Sequence, residues 1–185
     1  MSTHITLERA APHENSQLVE LWNAAFGPQW PMTEKLLRQT LDNDPYFESE
    51  GHIVARDGDK IIGWVLCKAM TNAGPEIATF RNRGGIGALC VHPDYQRQGI
   101  GSRLLRAAET HLQTHGITPN TLYFPHHFLP CVPSDCRSAL HFFEKHCYGR
   151  TGESVDLMRN LSTYQVPDKV RAALEANPAV EIRPA

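Results

Sequence analysis

The sequence predicts an α/β fold built on one sheet of mixed direction, and three observations predict it. The run from Lys60 to Met70 is almost continuously apolar, as a central strand is, and Asp57-Gly58-Asp59 joins it to a second strand from His52 to Arg56. Helical spacing of apolar residues appears on both sides of this hairpin in the chain. A strand–loop–helix unit then runs through Leu89–Ser102, which places strands and helices in alternation.

The elements follow in order. Ile5 to Arg9 is a short first strand. Pro12 to Phe26 is a helix with Leu18, Leu21, Trp22, Ala25 and Phe26 on one face, stopped by Gly27-Pro28. Thr33 caps a second helix through Leu41, and Asp42-Asn43-Asp44-Pro45 is a loop by composition. After the hairpin, Thr71 to Arg83 reads as a connecting loop, being broken by Asn72, Gly74, Pro75 and Asn82. Ile86 to Val91 is a strand ended by Pro93, which lacks an N–H. From Gly101 a helix buries Leu104, Leu105, Ala108 and Leu112 and ends near His115-Gly116. Thr121 to Phe124 is a short strand, and the proline-rich 125–133 is irregular. Ser134 or Asp135 caps the next helix, whose buried face is Ala139, Phe142, Phe143 and Cys147. Arg150 to Leu161 supplies a last strand or hairpin arm.

The chain of 185 residues is long enough for one sizeable core, and its 41% apolar content is ordinary for a water-soluble domain. Eighteen Lys+Arg against 20 Asp+Glu give a formal charge of −2, which argues against a nucleic-acid-coating protein. No apolar run approaches the roughly 20 residues that span a membrane. The opening Met1-Ser2-Thr3-His4-Ile5-Thr6 lacks the pattern of a signal peptide, and five scattered cysteines suit reduced thiols. The expected location is cytoplasmic, with neither a nucleic acid nor a membrane as partner.

Chemistry concentrates in the loop. Gly99 and Gly101 leave the backbone accessible where a helix starts, and a helix start offers unpaired N–H groups and a positive dipole end. That is an anion site suited to a phosphate or diphosphate, with Arg97 and Arg103 adding charge. The P-loop pattern is absent, and the dinucleotide pattern fails at Leu104, where a third glycine is required.

The run Gln96-Arg97-Gln98-Gly99-Ile100-Gly101, of the form Gln/Arg-x-x-Gly-x-Gly/Ala, resembles the acetyl-coenzyme A motif of the GNAT superfamily of N-acetyltransferases. The order of elements from Ile5 to Leu161 is similar to that family's, and Ala139–Tyr148 resembles its Ala-x-x-Leu/Phe-Tyr-Glu-Lys-x-Gly-Phe helix. The resemblance implies a mostly antiparallel central sheet with helices on both faces and a splayed pair of parallel strands, Val91 ending one and 121–124 forming the other. It implies acetyl-CoA as co-substrate and a small-molecule or peptide amine as acceptor. It implies a cofactor site of Leu89, Cys90, Val91, Gln96, Arg97, Gln98, Gly99, Ile100, Gly101 and Ser102. Main chain at 89–91 would hold the pantetheine arm, and the N–H of Leu89 or Cys90 would face the thioester oxygen.

Two departures stand out. Phe143 occupies the position of a tyrosine that protonates the leaving thiolate in many members, and Cys147 replaces the usual glycine. The acid is then water, or His126, His127 or His141, or the domain binds coenzyme A without turnover as a module of a tandem protein. No residue is assigned as catalytic. The spacing of His126, His127, Cys131 and Cys136 fits no common zinc site, so no metal is expected. Cys90 reads as a small apolar residue rather than an acyl carrier, Glu76 as a solvated carboxylate rather than a base, and Trp22 as core, with Trp30 a candidate to line an acceptor pocket.

The expected domain is 1–162, followed by a tail at 163–185 with a helix from Asp168 to Ala176. Ile182-Arg183-Pro184-Ala185 echoes Leu7-Glu8-Arg9-Ala10, which raises a second domain in cis; the rival is a closing helix and strand that dock onto this domain or onto a homodimer mate.

Overall fold

The computed structural model describes residues 4–27, 29–44, 47–71, 81–118, 122, 131–153 and 161–178. They form two compact units, 1–150 and 151–185. The first holds a sheet of β1 (Thr6–Arg9), β2 (His52–Asp57), β3 (Lys60–Met70) and β4 (Arg83–Val91), in that spatial order and antiparallel throughout. Its helices are α1 (Asn15–Phe26), α2 (Glu34–Thr40), α3 (Ile100–Thr114) and α4 (Arg137–Lys145). The strand expected over 121–124, and with it the splayed parallel pair, lies outside the described residues apart from Leu122. So does most of the arm expected over 150–161.

Each face of the sheet has its own core. Leu18, Leu21 and Trp22 of α1 and Leu37 of α2 pack with Trp64 and Leu66 of β3. On the other face Leu104, Leu105, Ala108 and Leu112 of α3 pack with Val65 and Cys67. The strict alternation of β3 therefore feeds both cores, which is why its sequence reads as continuously apolar. Trp22 is 5% exposed, as its place on the apolar stripe of the helix implies.

β4 begins at Arg83, three residues before the sequence suggests. Gly84 and Gly85 look like loop residues, yet they pair with Ala69 and Lys68. The reason is packing: a Cβ on Gly84 would lie 2.7 Å from Leu112 Cδ2 and 2.9 Å from Ile117 Cγ2, so α3 rests directly on the strand backbone. Nearer the site, Leu66 pairs with Ala88 and Cys67 with Ile86, so Gly87 is the extra residue of a β-bulge.

Three further expectations change. The N-cap of α4 is Cys136, with no side-chain cap from Ser134 or Asp135. The inner face of α4 is half-buried rather than buried, and Cys147 is exposed. Arg103 does not lean over the glycine loop; its Nη2 donates to the Ile5 carbonyl at 2.9 Å and ties α3 to the start of β1.

The second unit contains a 3-10 turn at Leu161–Thr163 and α5 (Asp168–Ala176), the helix expected in the tail. Tyr164, Val166 and Val170 are exposed on it.

Candidate active site

The cradle is built by backbone torsions. Pro93–Tyr95 makes a 3-10 turn after β4, with the Asp94 N–H donating to His92 Nδ1. Arg97 then adopts φ +62 and Gly99 φ +81, two left-handed residues that bring the chain round onto α3. Gly99 is the N-cap and supplies no side-chain cap. The N–H groups of Ile100, Gly101 and Ser102, the first turn of α3, have no intrahelical acceptor by helix geometry. A Cβ on Gly99 would meet nothing within 4 Å, so the mouth of the cradle is open. This is the geometry an anion such as a diphosphate requires: convergent N–H donors, a positive helix end and no side chain in the way.

The residues expected here divide into donors and braces. Ile100 is 1% exposed with its side chain in the α3 core, so it offers main chain only. Gln96 is a brace: its Nε2 donates to the Val91 carbonyl at 3.0 Å, across the loop it closes. Gln98 Nε2 donates to the Asp94 carbonyl at 3.3 Å in the same manner. Ser102 Oγ is 3.0 Å from His146 Nε2, which joins the first turn of α3 to the end of α4. Tyr95 hydroxyl donates to Asp57 at 3.0 Å and anchors the loop to the β2–β3 turn.

Among the described residues β4 is the last strand of the sheet, and its outer edge lies beside this loop. The His92 N–H donates to the Ile62 carbonyl on β3. Main-chain direction alternates along a strand, so Cys90 also turns toward β3 while Leu89 and Val91 turn away. The capture of the Val91 carbonyl by Gln96 agrees. Of the two donors proposed for an oxyanion, Leu89 N–H therefore faces the outer edge of β4 and Cys90 N–H does not. Cys90 is 3% exposed, and burial pushes its thiol up to about 12, so it is a packed apolar residue and no nucleophile.

An apolar cavity adjoins that edge, walled by Trp22, Phe26, Trp30, Leu89, Val132 and Phe143. Trp30 is held by α1: Trp22 Nε1–H donates to the Trp30 carbonyl at 2.7 Å, and the Asn23 amide makes paired bonds to the Met32 main chain at 2.8 and 2.9 Å. The described residues lining the cavity include no carboxylate, lysine or histidine. Phe143 sits in its wall as an apolar ring, and the nearby Tyr148 hydroxyl donates to Glu109 at 3.0 Å. Burial and the Glu109 charge push Tyr148 above the ordinary phenol range. His141 is exposed, and His126, His127 and Glu76 lie outside the described residues.

Sequence reading missed the Ser102–His146 and Asn23–Met32 links. Nothing local marks either pair; only the fold brings together residues 44 and nine positions apart.

The model of the acetyltransferase (GNAT) family matches residues 15–147. The mycothiol acetyltransferase of Propionibacterium freudenreichii subsp. shermanii is 30% identical over 123 residues, 64% of this chain and 37% of that protein. Its namesake from Geodermatophilus obscurus is 28% identical over 130 residues, 69% of this chain and 36% of that protein. The chain thus spans just over a third of the length of these curated relatives. A solved fungal structure, the glucosamine N-acetyltransferase region of a multi-domain β-N-acetylglucosaminidase, is 26% identical with a TM-score of 0.64, covering 95% of this chain and 21% of that one. With the match running from the start of α1 to the end of α4, and the strand–glycine-loop–helix cradle inside it, the chain belongs to the GNAT acetyltransferase family.

Proposed function

We propose that the protein is an acetyl-CoA-dependent N-acetyltransferase that moves the acetyl group directly to a primary amine while both substrates are bound. The observation that carries this reading is the uncapped start of α3, with Gly99 at φ +81 and an open mouth, set beside the outer edge of β4. The first-turn N–H groups of α3 hold the diphosphate of the carrier. Outward-facing main-chain groups of Leu89 and the Val91 N–H pair with its pantetheine arm as a further strand would. Leu89 N–H stabilises the oxyanion that forms when the amine attacks the thioester. Holding both reactants supplies much of the rate, because the encounter becomes nearly intramolecular. The C–N bond forms to give that tetrahedral oxyanion, the C–S bond breaks as the carbonyl is restored, the amine proton passes to solvent, and water protonates the leaving thiolate. The apolar cavity suits an acceptor that carries an aliphatic or aromatic group beside its amine.

Phe143 favours a second reading, a coenzyme A-binding module without turnover, because a phenyl ring offers the leaving thiolate no proton. Two measurements separate the readings. Coenzyme A should raise the unfolding temperature of the protein, and thiol release from acetyl-CoA should be amine-dependent. Stabilisation without thiol release over a broad amine panel selects the module, and no stabilisation by coenzyme A rejects both.

A further inference from the structure

We propose a divalent transition-metal site formed by Glu48, His111 and His115, at the opposite end of α3 from the cradle. His111 and His115 stand one turn apart, so their rings lie on the same side of the helix, with centroids 4.7 Å apart. Glu48, in the segment leading into β2, reaches across to them. Each of the three side chains offers one donor atom, and these atoms lie within 4.8 Å of one another. Glu48 Oε2 and His111 Nε2 are 3.4 Å apart. Ligands held about 2.0–2.2 Å from a tetrahedral zinc ion are separated by about 3.3–3.6 Å, so a small rotation of His115 completes a three-ligand set.

The surroundings support ligation. Glu48 Oε2 accepts the Ala69 N–H at 3.2 Å, which fixes the carboxylate against β3. His115 Nδ1 lies 3.0 Å from the His111 carbonyl and 3.3 Å from Thr114 Oγ1, whose own hydroxyl donates to that carbonyl. Donation from His115 Nδ1–H to these oxygens leaves Nε2 with its lone pair. A backbone carbonyl orienting the remote nitrogen of a ligating histidine is the usual outer-shell arrangement. The end of α3 presents the negative pole of the helix, which favours a cation. The His111 side chain is 10% exposed and that of Glu48 29%, while His115 faces solvent, so an ion can enter and keep a water as fourth ligand. Two histidines and a carboxylate select zinc, cobalt or nickel over magnesium or calcium. Such an ion would clamp the last turn of α3 to the segment before β2.

The test uses the whole chain stripped with a chelator, titrated with Zn²⁺ by calorimetry and with Co²⁺ by visible absorption. One equivalent of either ion should bind, with a tetrahedral or five-coordinate Co²⁺ spectrum free of thiolate-to-metal charge transfer. His115→Gln, at an exposed position, should melt like the parent in chelator yet bind at least tenfold more weakly. Glu48→Gln should lose affinity to a similar degree. Absence of stoichiometric uptake overturns the proposal. So does uptake unchanged in His115→Gln, or a Co²⁺ spectrum dominated by cysteine sulfur.

Discussion

At the scale of single residues, three positions carry measurable consequences. Phe143 lines the apolar cavity, and the proposed reaction needs a proton for its leaving thiolate. With water as the acid, Phe143→Tyr should change kcat only mildly in the thiol-release assay. A gain of about a hundredfold, the scale of a restored general acid, would contradict that mechanism. Cys147 is exposed and holds φ +67 just beyond α4, a conformation that costs most L-residues about 1–2 kcal/mol. Cys147→Gly should raise stability by about 0.5–1 kcal/mol in denaturant titration, the strain relieved less the greater freedom of glycine in the unfolded chain. His52 is 4% exposed, between the rings of Phe47 and Trp64, and its Nε2 finds no partner among the described residues. Burial pulls its pKa down to about 4, against a small opposing pull from Glu14. The unfolded chain takes up this proton near pH 6.5 and the folded one only near 4, so stability is intact above pH 6.5 and drains away as pH falls through that window. The loss is about 3 kcal/mol. His52→Phe should flatten that part of the stability–pH curve, as read by urea unfolding at pH 7, 5.5 and 4.

At the scale of elements, the glycine turn and the strand beside it are the sensitive pair. Gly99→Ala meets no neighbour, so its penalty comes from φ alone, about 1–2 kcal/mol of stability, and Gly99→Asn should cost less. Both should weaken stabilisation by coenzyme A, with alanine the worse. Gly84→Ala is different in kind, because its Cβ would press on Leu112, Ile117 and the Lys68 carbonyl, which lies 2.9 Å away. It should destabilise by about 1–3 kcal/mol and leave coenzyme A affinity per folded molecule unchanged. These two glycines also show what a sequence discloses. The turn at Gly99 was legible because a glycine pair before an amphipathic run has few uses. The strand at Gly84 was not, because the need for bare backbone there is set by α3, roughly 30 residues later, and the local residues look like a loop. The cap of α4 failed for a similar reason: Ser134 and Asp135 are good cap residues, but the helix starts two residues later, at Arg137.

At the scale of the molecule, the hairpin of β2 and β3 and the helices on either face were readable from periodicity, since each buries one stripe against one sheet. What periodicity cannot supply is tertiary assembly. Glu14 and Arg56 form an ion pair between the start of α1 and β2. Burial raises the Glu14 pKa, but the Ala11 N–H and the guanidinium outweigh it and hold the carboxyl below its usual range. Lys68 and Asp44 form a second pair, almost wholly buried, between β3 and the segment after α2. Asp44→Asn would remove the carboxylate from a buried ion pair, and a loss of about 3–5 kcal/mol in thermal and urea unfolding is expected. Glu48, His111 and His115 join this class: the helical pair is visible in the sequence, and its third member is 63 positions away.

The left-handed bend at Gly99 has a further consequence. A grip made of peptide groups does not read side chains. Saturation mutagenesis across the loop should therefore find Arg97 and Gly99 tolerant mainly of glycine and asparagine, and Gln98 sensitive only through its bond to the Asp94 carbonyl. Among distant relatives the cradle would persist as a set of torsion angles long after its letters had drifted.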